Sequence, residues 1–266
     1  MKNILLADNR SGLLATLEPI LKHWGYRVLS TQKAEQVTIF LQGSEPCLLV
    51  MGEQILSDPA LNLDHDATDK ITSGLLPMVA LKQDGAGLLN VPPDEILDVP
   101  FELFELYSFI QRKVENHPRQ NLRLSLRLPG MYKMKDEAFT LAEVLNLSLC
   151  GLFFKSAARV EKGSRITVVF PLLGHGKEIE AVSTVLYTIK PGVGNNFSQG
   201  FGVGFDEISQ GHRQQLRQYI KEHFLKEVSA SCYGVGGFAA EQLKGGVFHP
   251  GKESQTGLSQ RQTTEH

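Results

Sequence analysis

The stretch RQNLRLSLRLPGMY, residues 119–132, marks a change in the hydrophobic period of the chain. From Leu122 to Leu128 every second residue is a leucine, and arginine or serine fills the positions between them. A period of two is typical of a half-buried β-strand, whose apolar residues face a core while its polar residues face water. The residues before this stretch follow a different pattern, with helical spacing between short apolar runs. We therefore predict a domain boundary close to residue 117.

The residues before the boundary predict an α/β domain. Five short apolar runs are predicted to be strands: KNILLA (2–7), YRVLST (26–31), PCLLVMG (46–52), LLPMVALK (75–82) and EILDVPF (95–101). Helical spacing of apolar residues predicts helices at 11–25, 33–42 and 102–116. Strands that are apolar on both faces and alternate with helices indicate a parallel sheet covered by helices. We assign residues 1–116 to this module and expect the flavodoxin-like strand order.

The residues after the boundary predict a small antiparallel β-barrel. Alternating apolar residues recur in three further runs, at 166–170, 185–189 and 201–205. Glycine and proline turns separate these runs, and a terminal helix is predicted at about 210–226. Short strands of this kind, closed by one helix, favour a barrel module over residues 117–228. Residues 229–266 are rich in Gly, Ser, Gln and Thr, which predicts a disordered tail.

The formal net charge of −2 hides an uneven distribution along the chain. Residues 1–116 carry −7, whereas residues 117–228 carry +5. A general DNA or RNA binder needs a strongly basic surface, so we expect no general nucleic-acid binding. The modest basic excess of the second module instead suits a small anionic ligand.

Composition also excludes several other classes of protein. No apolar run reaches the roughly 18 residues of a transmembrane helix, and the apolar N-terminal run is too short for a signal peptide, so we expect a cytoplasmic protein without a membrane segment. The 3 cysteines and 8 histidines show no zinc-ligand or disulfide spacing, so we expect no metal. No residue stands out as a catalytic group, and we expect the protein not to be an enzyme.

The first module resembles the receiver domain of response regulators over about residues 2–116. In that family, acidic residues after the first strand bind magnesium, and an aspartate at the end of the third strand accepts the phosphoryl group. Here Asp8 keeps one acid of the pair, Gly52 stands at the acceptor position, and Lys82 replaces the usual Thr or Ser. Glycine has no side chain, so no acyl phosphate can form there, and one carboxylate does not support a magnesium site. The resemblance implies a pseudo-receiver that acts through its surface.

Two short motifs lie at the start of the second module. Arg119 and Arg123 form an RxxxR pattern, and Asn146, Ser148 and Gly151 form an NxSxxG pattern. A guanidinium can present paired donors to guanine or to phosphate, and its plane can stack on a base. Asparagine offers a donor and an acceptor to a base edge, and serine offers a hydroxyl. Glycine lets the backbone turn tightly and lets a ligand come close.

The order and spacing of the two motifs resemble the PilZ domain, whose fold is a six-stranded antiparallel β-barrel with a C-terminal helix. A second RxxxR runs from Arg123 to Arg127, but the distance from Arg123 to Pro129 suits the family better with Arg119 as the first arginine. PilZ domains bind cyclic di-GMP, a bacterial second messenger with two guanines and two phosphates. The resemblance implies that Asn146 and the other four motif residues form the ligand site.

The resemblance therefore implies a cyclic di-GMP effector that needs no cofactor and acts on a protein partner or on a second copy of the chain. Its output would be the control of motility, adhesion or exopolysaccharide. Because the RxxxR lies in the segment that joins the modules, ligand binding would fix the angle between them. The alternative is a ligand-silent scaffold or dimerisation protein that acts through its pseudo-receiver surface.

Overall fold

The computed structural model describes residues 1–83, 91–195 and 199–231, together with Leu243. Residues 229–231 of the predicted tail belong to the last helix of the protein. Leu243 is buried and forms an isolated parallel bridge with Phe101. The remainder of the tail prediction lies outside the described residues.

The first module is a five-stranded parallel sheet between two layers of helices. Its strands are β1 (Asn3–Ala7), β2 (Arg27–Thr31), β3 (Leu48–Gly52), β4 (Met78–Lys82) and β5 (Glu95–Asp98). Its helices are α1 (Ser11–His23), α2 (Ala34–Ser44), α3 (Glu53–Leu56), α4 (His65–Thr72) and α5 (Leu103–Val114). The strand order β2-β1-β3-β4-β5 confirms the predicted flavodoxin-like α/β fold.

The sheet is buried on both faces, as its continuous apolar runs predict. In β1, Ile4 and Leu6 belong to a core formed with α1 and α5, whereas Leu5 and Ala7 belong to a core on the opposite face. Every residue of β3 is buried. Successive side chains of a strand point to opposite faces, so one run of apolar residues supplies both cores. The short helices α3 and α4 lie outside the three helices that the sequence predicts for this module.

The second module is a closed barrel followed by one helix. Its strands are β6 (Arg123–Met134), β7 (Thr140–Ser148), β8 (Gly151–Lys155), β9 (Arg165–Leu172), β10 (Lys177–Ile189) and β11 (Gly200–Glu207), and its helix is α6 (Gln210–Ser231). The strands close in the order β10-β11-β8-β7-β6-β9, and every neighbouring pair is antiparallel. The six-stranded barrel with a C-terminal helix is therefore confirmed. Helix α6 continues five residues beyond the predicted end at residue 226.

Helix α6 also joins the two modules. Phe224 stacks on Trp24 of the first module with 5.9 Å between ring centroids, and His23 meets the same phenylalanine edge-on. The Arg217 guanidinium of α6 forms an ion pair with the carboxylate of Glu102, which lies just before α5, at 3.1 Å. Buried residues of both modules belong to one continuous hydrophobic cluster, so the modules share a core at this junction.

Candidate ligand-binding site

The NxSxxG motif forms the turn between β7 and β8. Asn146 and Ser148 lie at the end of β7, and Gly151 begins β8 after a two-residue connection. The Ser148 hydroxyl donates a hydrogen bond to the Gly151 carbonyl oxygen at 3.0 Å, which fixes the hairpin from within. The Asn146 side chain accepts a hydrogen bond from Ser125 of β6 at 3.3 Å, so two neighbouring strands hold it in place.

Gly151 is required by the close approach of a neighbouring strand. It is buried and pairs with Gly204 of β11, and a Cβ built on it would collide with the backbone carbonyl oxygen of Val203. The neighbour is backbone within a paired strand, so it cannot turn aside as a flexible side chain would. The glycine of the motif therefore allows β11 to pack closely against β8, directly beneath the site.

We expect Gly151→Ala to destabilise the barrel by about 1–3 kcal/mol, because the added methyl forces β8 and β11 apart. Urea unfolding followed by circular dichroism measures this change. Gly194→Ala is the matched control, since a Cβ at Gly194 meets nothing within 4 Å. The control should change the free energy of unfolding by no more than about 0.5 kcal/mol. Equal stability of the two variants would contradict the steric role of Gly151.

The two arginines of the RxxxR reach the same place from the segment between the modules. Arg123 begins β6 and lies opposite Ser148 in the β6–β7 ladder. Arg119 precedes the strand, and its backbone N–H donates to the Gln111 side chain of α5 at 2.9 Å. Both arginines are exposed, and among the described residues neither has a carboxylate within ion-pair distance. Their positive charges are therefore available to an anion.

A cleft of about 400 Å³ brings all five predicted site residues together. Its lining includes Arg119, Arg123, Asn146, Ser148 and Gly151. A volume of this order lies within the range of small-molecule pockets. Because residues from two motifs about 20 positions apart converge here, the site is a product of the β6–β7 and β7–β8 pairings.

The last arginine of the second RxxxR pattern, Arg127, lies outside the cleft. Arg127 lies within a bulge of the β6–β7 ladder, where the register shifts between Ser125 and Leu128. Its side chain is 80% exposed, its Nε lies 4.0 Å from the Glu143 carboxylate, and it does not line the cleft. Of the three arginines in the two RxxxR patterns, Arg119 and Arg123 line the cleft and Arg127 does not.

Sequence reasoning missed the wall of the cleft that faces the motif residues. Phe153, Leu186 and Tyr187 line this side, together with the backbone of Gly202. The alternation of Val185, Tyr187 and Ile189 predicts that they share one face, but this prediction is wrong. A bulge between Val185 and Tyr187 leaves Val185 in the core and turns Tyr187 outward.

The acceptor position of the receiver-like module is filled by the chain itself. A Cβ built on Gly52 would collide with the carboxylate of Asp8, which is fully buried. That carboxylate receives two side-chain hydrogen bonds from Arg10, Nε to Oδ1 at 2.8 Å and Nη2 to Oδ2 at 2.6 Å. Hydrogen bonding to Asp8 raises the pKa of Arg10 above its ordinary value. Glu53 begins α3 and adds a nearby negative charge.

Neither a metal cluster nor a membrane helix is found in the part of the chain that the structure describes. No group of three or more His, Cys, Asp or Glu side chains there is arranged to hold a metal ion. None of the described helices is long and apolar enough to cross a membrane.

The barrel module belongs to a known family. Residues 117–222 match the family model of the PilZ domain, so this part of the chain is a PilZ domain and the resemblance carried by the two motifs is confirmed. The preceding α/β module has the flavodoxin-like strand order described above. The chain matches none of the curated proteins with which it was compared.

Solved structures with similar folds include PilZ and receiver domains. One is the PilZ domain of YcgR from Escherichia coli with cyclic di-GMP, at 18% identity over 44% of this chain and 98% of that chain, with a TM-score of 0.36. Another is the inhibitor of motility MotI from Bacillus subtilis, at 18% identity over 41% of this chain, with a TM-score of 0.37. The chain spans about half of that protein, 52% of its length. A signal receiver domain from Pseudomonas fluorescens matches at 20% identity over 43% of this chain and 94% of its own, with a TM-score of 0.36.

Proposed function

We propose that the protein is a receptor for cyclic di-GMP and acts by binding rather than by catalysis. One observation carries the proposal: all five motif residues line a single cleft on the outside of a PilZ barrel. The ligand has two phosphates and two guanines, and this cleft offers it two guanidiniums without carboxylate partners among the described residues. Charge-assisted bonds from arginine to phosphate or to guanine are among the strongest available to a protein.

The chemistry of each of the five residues suits it to a different part of the ligand. Arg119 and Arg123 would clamp phosphate oxygens or the O6 and N7 edge of a guanine. Asn146 still has donor capacity for a base edge, because its described bond uses only its oxygen. Ser148 would offer its oxygen as an acceptor, since its proton is donated to the Gly151 carbonyl. Gly151 keeps the floor of the site free of a side chain.

Isothermal titration with cyclic di-GMP tests this proposal and also measures the stoichiometry. We expect saturable binding of the full chain and a rise in its melting temperature with ligand concentration, since a ligand that binds only the native state stabilises it. If saturating ligand produced neither heat nor a thermal shift, the receptor proposal would fail. The scaffold alternative, in which the pseudo-receiver surface carries the function, would then be favoured.

The arginines also border a second cavity, which links the site to the receiver-like module. This cavity of about 430 Å³ lies at the junction and is lined by Trp24, Tyr107 and Phe224 as well as by Arg119 and Arg123. Burial raises the pKa of Tyr107, and the charges of the two arginines oppose part of that rise. Both guanidiniums therefore lie within electrostatic range of α5 and can act on either module.

This shared position supports a mechanism of transmission. Ligand in the cleft would draw Arg119 and Arg123 away from the junction cavity and thereby favour another arrangement of the modules. The modules already share a core through α6, so the ligand would alter an existing interface instead of ordering a free linker. Small-angle scattering of the full chain with and without saturating cyclic di-GMP measures the change. An unchanged profile would contradict this mechanism while leaving ligand binding intact.

A receptor of this class would act on a protein partner or through a second copy of the chain, in the control of motility, adhesion or exopolysaccharide. The receiver-like module would supply the docking surface. Its acceptor position is blocked by Asp8 and Arg10, so its state would be governed by the neighbouring PilZ domain and not by phosphorylation.

A further inference from the structure

The segment that carries the RxxxR pattern is fastened to the receiver-like module at two points. The first is Glu115, which directly follows α5 and accepts hydrogen bonds from the Lys2 amine at 2.9 Å and from the Tyr26 hydroxyl at 2.8 Å. These bonds lower the pKa of the Glu115 carboxyl. The second is Arg119, whose backbone N–H donates to the Gln111 side chain at 2.9 Å. The receiver-like module therefore holds both ends of the stretch 115–119.

Gln111 is an unusual residue for its place on α5. It is 9% exposed and lies among the apolar residues that this helix buries, although glutamine is mostly found on protein surfaces. A buried amide needs hydrogen-bond partners, and the N–H of Arg119 supplies one. Gln111 also borders the junction cavity, as Arg119 does. The glutamine thus reaches from a buried face of one module to the ligand-binding segment of the other.

Arg119 is the motif residue that the barrel strands do not hold. The other four lie in strands, so the ladders of the barrel fix their backbones. Arg119 lies before β6, where Gln111 accepts its N–H instead. Because Arg119 lines the cleft while this bond is made, the bonded arrangement is the one in which the site is complete. Only the backbone is held, so the guanidinium can still turn between the cleft and the junction cavity.

We propose that Gln111 of the receiver-like module is a positioning residue for the ligand site of the PilZ domain. The inference rests on the proposed function and adds that α5 sets the affinity of that site. Without the bond, Arg119 would spend part of its time outside the cleft, and the affinity would fall by the fraction of chains in which the site is complete. By linkage, a partner that displaced α5 would weaken ligand binding, and the ligand would weaken that partner by the same factor.

Gln111→Met tests the proposal, because methionine keeps the length and helix propensity of glutamine but cannot accept the N–H as its amide oxygen does. Calorimetric titration of the full chain should show cyclic di-GMP binding weakened by about 2-fold to 10-fold, the range for loss of one net hydrogen bond. Stopped-flow kinetics should place this loss in the association rate constant, with the dissociation rate constant within about twofold of the parent, because bound ligand itself holds Arg119. Gln111→Leu should reproduce both results.

Gln218→Met is the matched control. Gln218 is an exposed glutamine of α6 that donates to Glu222 and lines neither the cleft nor the junction cavity. The same substitution there should leave the Kd within about twofold of the parent chain.

Hydrogen exchange at the Arg119 amide, followed by NMR, reads the bond itself in the absence of ligand. The amide should be protected in the parent chain and in Gln218→Met, and it should lose this protection in Gln111→Met. An amide that exchanges freely in the parent chain would overturn the proposal, whatever the affinities are.

The outcomes separate this inference from the proposed function. If the parent chain binds the ligand and Gln111→Met loses the protection of Arg119 without a change in Kd, the positioning role is wrong while the receptor proposal stands. Weaker binding that comes only from faster dissociation would also overturn it, since that result indicates damage to the bound site. Tighter binding would overturn it as well, because the bond would then hold Arg119 away from the ligand. If the parent chain itself shows no binding, the receptor proposal fails and the positioning role fails with it.

Discussion

Arg123→Ala should nearly abolish binding of cyclic di-GMP. Arg123 lines the cleft and lies opposite Ser148 in the β6–β7 ladder. Its guanidinium has no carboxylate partner among the described residues, so its charge is available to the ligand. Truncation of one partner in a desolvated, charge-assisted contact typically costs about 2–5 kcal/mol, which is at least about 30-fold in Kd. Calorimetric titration of the full chain measures the change directly. The fold should be unaffected, because the side chain is exposed.

Arg127→Ala is the matched control, and it also decides between the two RxxxR patterns. Arg127 is on the same strand and carries the same charge, but its side chain is 80% exposed and lies outside the cleft. We expect its affinity to remain within about twofold of the parent chain. If the loss of binding followed Arg127 and not Arg119 and Arg123, the ligand would have to bind outside the cleft, and the assignment of the site would be wrong.

The convergence of the two motifs could be predicted because it depends on local sequence. The leucine alternation from Leu122 to Leu128 fixes which residues of β6 face outward, and Arg123 is one of them. The NxSxxG turn fixes the end of β7 and the start of β8. Once these two strands pair, as antiparallel neighbours along the chain usually do, Arg123 must lie close to Ser148. Motif spacing therefore carried most of the information about the polar half of the site.

The aromatic half of the site could not be predicted in this way. Its position depends on a bulge in β10, and one extra residue in a strand moves every later side chain to the other face. The pattern of Val185, Leu186 and Tyr187 looks the same with or without that bulge. Pairing of β10 with β11 decides the outcome, since Gly202 leaves the space that the Tyr187 ring occupies. Such non-local contacts leave little trace in a single sequence.

In the receiver-like module, too, one feature of the site could be predicted from the sequence and another could not. Gly52 alone is enough to predict that no phosphoryl group can be accepted at that position. It does not reveal what occupies the space. Asp8 fills it, and the Arg10 guanidinium neutralises that carboxylate through an ion pair at 2.6 Å. The buried Asp8 carboxylate is therefore neutralised by a cation of the chain itself.

We expect Arg10→Ala to destabilise the receiver-like module by about 3–5 kcal/mol, because it leaves the Asp8 carboxylate buried without a counter-charge. Asp8 is fully buried, and the side chain of its partner is only 20% exposed. Trp24, the single tryptophan, ends α1 and reports on this module. Urea unfolding followed by its fluorescence therefore measures the effect. Arg112→Ala removes an exposed ion pair with Glu95 in the same module and should cost no more than about 1 kcal/mol.

A second variant distinguishes an unpaired charge from a loss of packing. Asp8 also accepts the backbone N–H of Arg10 at 2.8 Å, and an asparagine at position 8 would keep that acceptor while removing the charge. Arg10→Ala combined with Asp8→Asn should therefore be more stable than Arg10→Ala alone, because no buried charge is left without a partner. If the double variant were less stable than the single one, the guanidinium would contribute mainly through its contacts with Leu81 and Gln83. Recovery of stability in the double variant would instead identify Arg10 as the built-in cation of the pseudo-receiver.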